Sequence, residues 1–431
     1  MVPLAAASFT PRSDLTAMRS SEFDFTKVLR AGDVVAWPQG TGEPRGLTGR
    51  LVRQRHELPP VGLFVGMMTS KTLSAEHADR FTFRGLNGAG TNRHLTAAKV
   101  LDIIPAHVSA VPGLIRSCAV PIDVVLIRVR PHPKPGFFTV GVVADFTPSM
   151  IEAARCVIAE LDDRLPITSQ DALVARDAID ILVSCDADEI LLPDPEPSPV
   201  DVRVAAQVAR VIPDRATIQL GIGSLPVAVC RALAGHRELG IHSGVISDVV
   251  IDLVENGVVT NSHKGADAGC IVTGCLFGSR RLIDFADGNG ALQMRSADYT
   301  HNIKVMAGVH RLHSINSAIE IDLTGQVNAE VAGDRYLGAV GGQVDFVRGA
   351  QASPGGRSII ALPSTTADGK RSRIVASLDG RPVTTGRADV ELIVTEYGVA
   401  DLRGRSLSER ARRLAAIAHP DFRSDLQAMA T

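Results

Sequence analysis

The chain has 431 residues, enough for two substantial domains with a core each. Its 45% hydrophobic and 21% charged residues are those of an ordinary globular protein, and a formal net charge of −2 supplies no field to recruit nucleic acid or an anionic membrane. Aromatic residues at 4%, with one tryptophan, argue against a base-stacking surface, and no apolar run reaches the roughly 18–20 residues of a membrane helix.

Met1 to Ala7 is mildly apolar but lacks the cationic lead and long apolar core of a signal peptide, so a cytoplasmic protein is expected. Gly32-Asp-Val-Val-Ala-Trp37 then reads as a short buried strand, followed by the turn Gly40-Thr-Gly42-Glu-Pro44 and a helical stretch ending near Leu58. Asp123-Val-Val-Leu-Ile127 reads as a further buried strand. The run Pro193-Asp-Pro-Glu-Pro-Ser-Pro199 cannot continue a helix or a central strand, because its prolines lack the donor and fix φ. It is expected to link two domains, residues 1–192 and 200–431.

The second half repeats the first in outline. Ala216-Thr-Ile-Gln-Leu220 reads as a strand, Gly221-Ile-Gly223-Ser-Leu-Pro226 as a turn and Val227 to Ala234 as a helix. From the second glycine of each turn to the closing leucine (Leu58, Leu239) the spacing is the same in both halves. Leu239 to Ile241 reads as a short strand, and Asp389-Val-Glu-Leu-Ile393 echoes Asp123 to Ile127. Apolar β-branched strands alternating with helices imply parallel sheets covered on both faces. The expected architecture is two tandem open parallel-sheet α/β domains facing across a cleft. Ligands of such sheets sit at the carboxyl ends of the strands, where the glycine turns fall.

Taken singly, the chemical motifs are ambiguous. Gly221 and Gly223 can bring backbone N–H groups close to an anion at a helix start, but the third glycine of a dinucleotide fingerprint is missing, so a nicotinamide-dependent oxidoreductase is set aside. Gly341 and Gly342, followed by Gln343, can present N–H groups to an oxyanion, or can form a plain turn before a buried strand. Asn316 to Asn328 alternates apolar and polar residues and reads as one strand with Glu320, Asp322 and Thr324 on a wet face. His310 and His313 stand at one-turn helical spacing without a third ligand nearby, so no metal is expected. His242, Ser243 and Asp248 do not make a triad, since neighbours on a strand point to opposite faces and no nucleophile elbow is present. The six cysteines are scattered in mostly apolar surroundings, as reduced core thiols are.

Together these motifs resemble the acetyl-CoA hydrolase/4-hydroxybutyrate CoA-transferase family. The matching runs include Leu220-Gly-Ile-Gly-Ser-Leu-Pro226, Leu239-Gly-Ile-His242, Ser247-Asp248 and Ile251 to Asn261. They continue through Asp298-Tyr-Thr-His301, Ser314 to Asn328, Gly341-Gly-Gln-Val-Asp-Phe346, Val394-Thr-Glu-Tyr-Gly398 and His419-Pro-Asp-Phe-Arg423. The first half matches more loosely, through Glu43-Pro44, Ile103-Ile-Pro105, Pro121 to Val125 and Val140-Gly-Val142.

The resemblance implies two α/β domains of CoA-transferase type and an acyl-CoA substrate. It also implies no bound cofactor and a homodimer or higher homo-oligomer. In that family a glutamate attacks the thioester, CoA returns to give a glutamyl-CoA thioester, and an incoming carboxylate accepts the CoA. The glutamate stands in a His-Thr-Glu-type run before Ser-Asp. Here the run is His242-Ser-Gly244-Val-Ile-Ser-Asp248, so Gly244 occupies the nucleophile position and has no group to be acylated. Gly341 and Gly342 would still polarise the thioester, with Gln343 beside them and Gly221 and Gly223 lining the cleft. Three activities fit. One is a water-using hydrolase of an acyl-CoA thioester, or of a C–C bond in a CoA-linked substrate, whose base is Glu320, His242 or Asp248, Glu320 being preferred. A second is a transferase with a displaced carboxylate such as Glu238, and the third is a non-catalytic CoA-thioester binder or partner subunit.

Overall fold

The computed structural model describes residues 17–429; the reading of Met1 to Ala7 lies outside them. In the first half, strand Val34–Ala36 lies at the centre of a sheet of nine strands, paired in parallel with Val61–Val65 and with Val124–Pro131. Val124 to Val129 are all buried, as expected of a strand covered on both faces. In the second half, six strands form the sheet. Thr217–Gln219 lies between Gly240–Ile241 and Leu312–Asn316, and Arg357–Ala361, Leu392–Thr395 and Gly398–Asp401 follow outward. Only the last pair is antiparallel. The architecture is therefore the mixed α/β fold with mainly parallel sheets read from the alternating pattern.

Both halves repeat strand, glycine turn and helix. Gly40–Gly42 forms a single 3₁₀ turn before helix Arg45–Gln54. Gly223 (φ +110°, ψ −177°) adopts a backbone conformation open to glycine and caps helix Ser224–Ala232. The proline-rich run forms no strand or helix until Pro199, which opens helix Pro199–Ala209 at the one position where a missing N–H costs nothing. Ser198 and Asp201 close a capping box there.

The halves share one apolar cluster, in which Val125, Val143 and Phe146 meet Ile218, Ile246, Leu276 and Phe277. Hydrogen bonds also cross between them: the Ala144 N–H donates to the Gly274 carbonyl at 2.8 Å and the Thr41 hydroxyl to the Leu276 carbonyl at 2.8 Å. Among the described residues no helix is long and apolar enough to cross a membrane.

Three local readings change. Residues 316–328 do not form one strand. Asp322 Oδ1 accepts from the Thr324 N–H and hydroxyl and the Gln326 N–H, and Gly325 takes φ +95°. The chain turns there, and Glu320–Asp322 pairs antiparallel with Val327–Asn328. Gly341 and Gly342 lead into helix Gln343–Ala352 rather than a strand. His310 and His313 share no helix, because His313 lies buried in strand Leu312–Asn316.

Buried Arg128 ties the first sheet to its glycine turn. It donates to Asp162 Oδ2 at 2.6 Å and to the Thr41 carbonyl at 2.9 Å. Arg128→Met strands part of a buried carboxylate, although Arg164 stays on Asp162 at 2.8 Å. The expected loss is about 3 kcal/mol, read from the midpoint of urea unfolding.

Candidate active site

The carboxyl ends of the strands in both halves converge on a cavity of about 280 Å³. Gly221 and Ile222 come to it from the turn after Thr217–Gln219, and Gly244 from the bend after Gly240–Ile241. Gly341, Gly342 and Gln343 reach it from the start of helix Gln343–Ala352. The first half supplies Gln39, Met67, Asn87, Asp145 and Phe146. First-half loops clamp the second glycine motif: the Gly88 N–H donates to the Gly338 carbonyl at 2.9 Å and the Val108 N–H to the Gly341 carbonyl at 3.1 Å. The Asp345 carboxylate accepts from the Ser109 N–H and hydroxyl.

Gly341 has φ +58°, a left-handed backbone that glycine adopts without strain. Gly342 caps and Gln343 begins a ten-residue helix, so their N–H groups are not consumed by intrahelical bonds and can donate to an oxyanion. Of the predicted binding residues, Gly221, Gly341, Gly342 and Gln343 line the cavity together; Gly223 stands one step back as the helix cap.

The predicted bases are not brought to this cavity. Glu320 lines a separate depression, where Arg381 donates to its Oε2 at 2.7 Å and Asn328 to its Oε1 at 2.7 Å. Asp248 accepts from the N–H and hydroxyl of Ser279 and serves the start of helix Arg280–Ala286. His242 is fully buried, and its Nε2 donates to the Thr300 carbonyl at 3.0 Å. Burial and then the nearby Lys264 hold its pKa down at about 4, leaving it neutral. Glu238, the displaced carboxylate considered above, precedes strand Gly240–Ile241 at the end remote from the cavity and pairs with Arg215 and His263.

Three titratable residues that sequence reasoning did not single out for the site line the cavity, His301, Asp145 and Cys275. Asp145 is the one charged side chain in the lining, and burial raises its pKa to about 6. Both its oxygens are engaged: Oδ1 accepts from the Phe146 N–H at 2.5 Å, Oδ2 from Gln39 Nε2 at 2.8 Å, and the Cys275 thiol points at Oδ2 from 3.8 Å. His301 packs edge-on against Phe346, with ring centroids 4.7 Å apart. Its ring reaches between the two glycine motifs. A methyl group on Gly244 would stand 2.8 Å from His301 Cε1 and 3.0 Å from Nε2, and one on Gly342 would stand 2.5 Å from Nε2. Both glycines are thus required by the imidazole beside them. His301 lies in the run Asp298-Tyr-Thr-His301, but its contact with Gly244 joins segments far apart in sequence, which no local spacing encodes. Asp145 follows Val140-Gly-Val142 with no motif of its own.

Gly244→Ala is expected to cost about 1–3 kcal/mol by overpacking against the buried His301 ring. In a double-mutant cycle measured by urea unfolding, His301→Ala should remove most of that penalty.

The acetyl-CoA hydrolase/transferase N-terminal domain model matches residues 18–191 and the corresponding C-terminal domain model residues 278–430. The 4-hydroxybutyrate coenzyme A transferase of Clostridium kluyveri is 39% identical over 397 residues, covering 91% of this chain and 92% of that one. The acetyl-CoA hydrolase of Saccharomyces cerevisiae is 29% identical over 222 residues, 48% of this chain and 39% of that one. Among solved structures, RipA from Yersinia pestis superposes with a TM-score of 0.89 at 32% identity, covering 96% of each chain. A 4-hydroxybutyrate CoA-transferase from Porphyromonas gingivalis gives 0.82 at 32% identity, again over 96% of each. With this fold, and with matches spanning both halves, the chain belongs to the acetyl-CoA hydrolase/transferase family.

Proposed function

We propose that this chain cleaves an acyl-CoA thioester with water, without a covalent glutamyl intermediate. The observation that carries the reading is the cavity around Gly244. Helix-start N–H groups suited to an oxyanion line it, yet it offers no free carboxylate to be acylated. Gly244 has no side chain, and the ring of His301 fills the space into which one would project. Covalent relay through this position is therefore closed, whereas attack by water needs only an oriented water and a polarised carbonyl.

The lining also bears on the acyl group. Among the described residues no lysine or arginine lines the cavity, and its walls are mostly apolar side chains and neutral amides, with Asp145 the one carboxylate. An acyl chain ending in a second carboxylate would be buried without a counter-charge, which costs several kcal/mol. The substrate is a neutral acyl-CoA, processed in the cytosol.

A transferase reading is favoured by the name of the Clostridium kluyveri relative. It would require Asp145 to leave its hydrogen-bonded partners and act as the acylated carboxylate.

Incubation with a panel of acyl-CoAs is expected to release free CoA without any carboxylate acceptor. The kcat/KM for succinyl-CoA should fall at least roughly tenfold below that for butyryl-CoA. Release of CoA only when acetate is added would overturn the hydrolytic reading. Glu320→Gln is expected to keep kcat and to lower the unfolding midpoint, since it loosens a partly buried pair with Arg381 outside the cavity.

A further inference from the structure

We infer that His301 is the general base of the hydrolysis, taking the proton of the attacking water and returning it to the departing CoA thiolate. This rests on the water-using reading above and adds to it the group that makes water a nucleophile.

The ring proton is assigned to Nδ1, which then donates to the Thr300 hydroxyl 2.9 Å away while that hydroxyl donates to the Ser296 carbonyl at 3.1 Å; in this tautomer Nε2 is a bare acceptor. Nε2 is also the atom that faces the two glycine motifs, as the contacts of an added methyl at Gly244 and Gly342 show. A lone pair thus stands beside the N–H groups suited to the oxyanion, on the floor of the cavity. The other candidates are occupied or elsewhere. Asp145 accepts hydrogen bonds on both oxygens, and the Cys275 thiol is buried against Asp145, which keeps it protonated. Burial, with His242 nearby, holds the His301 pKa at about 3, so the ring is neutral and its lone pair available through the physiological range.

The step balances. Water oxygen bonds to the thioester carbon while one water proton passes to His301 Nε2, and the carbonyl electron pair moves to the oxygen held by the helix-start N–H groups. The oxyanion then expels sulfur, the C–S bond breaks, and the thiolate takes the proton from the imidazolium. Carboxylic acid and free CoA result. The buried imidazolium exists only while an oxyanion stands beside it, which offsets the cost of charging a ring in an apolar pocket.

The test compares native protein with His301→Asn, His301→Gln and His301→Gly. It measures butyryl-CoA hydrolysis, calorimetric affinity for the non-hydrolysable thioether butyl-CoA, and urea unfolding. The expected result is a loss of about 10²- to 10⁴-fold in kcat in every folded variant, with thioether affinity retained. Free imidazole should restore part of the activity to His301→Gly, a rescue that a merely structural ring would not give. Native-like kcat in a folded variant would overturn the inference while leaving the hydrolytic reading standing. So would loss of kcat that imidazole does not restore in a His301→Gly protein that still binds the thioether. If native protein releases no CoA from any thioester, the hydrolytic reading fails and the inference fails with it.

Discussion

The arrangement of the cavity depends on one packing constraint: a buried imidazole held between two residues without side chains. His301 fits only because Gly244 and Gly342 leave their Cβ positions empty on either side of its Nε2 edge. The two glycines come from different motifs, one at the bend after a short strand and one at the start of a helix. The contact therefore fixes the spacing between those motifs as well as the floor of the cavity. Phe346, from the first turn of the same helix, closes the ring from its edge.

The surrounding scaffold serves that arrangement. Parallel strands end at one edge of each sheet, and the strand-to-helix turns there expose backbone N–H groups instead of bulky side chains. First-half loops hold the Gly341 turn through main-chain bonds and the Ser109–Asp345 pair, so the candidate oxyanion donors belong to a site built by both halves. Charges are kept in pairs away from the cavity, as with Glu320 on Arg381 and Arg128 on Asp162, and the lining is left with Asp145 alone. A low-charge pocket strengthens the few dipoles that remain in it.

The sequence revealed the layer architecture, the glycine turns and the family, because each rests on local patterns. Buried β-branched runs mark strands, and Gly-x-Gly turns follow them. It also located Gly221, Gly244, Gly341, Gly342 and Gln343, all of which reach one cavity. The bases it offered lie outside that cavity for a tertiary reason. Glu320 and Asp248 have the right chemistry, but hydrogen bonds to Arg381 and Ser279 hold them elsewhere. His301 stands in the matching run Asp298-Tyr-Thr-His301, but its place beside Gly244, like that of Asp145 in the lining, comes from contacts between distant segments that no local spacing encodes. The alternation in residues 316–328 misled in a similar way, since Asp322 turns the chain where periodicity alone predicts one continuous strand.

A protein that uses water directly never carries a piece of its substrate. Native protein would be mixed with excess butyryl-CoA, quenched in acid during steady turnover, and its intact mass determined. Direct attack by water predicts an unmodified polypeptide while free CoA and butyrate accumulate. A mass increase equal to CoA or to a butyryl group, mapped to any carboxylate and above all to Asp145, would contradict it and make the protein a covalent transferase.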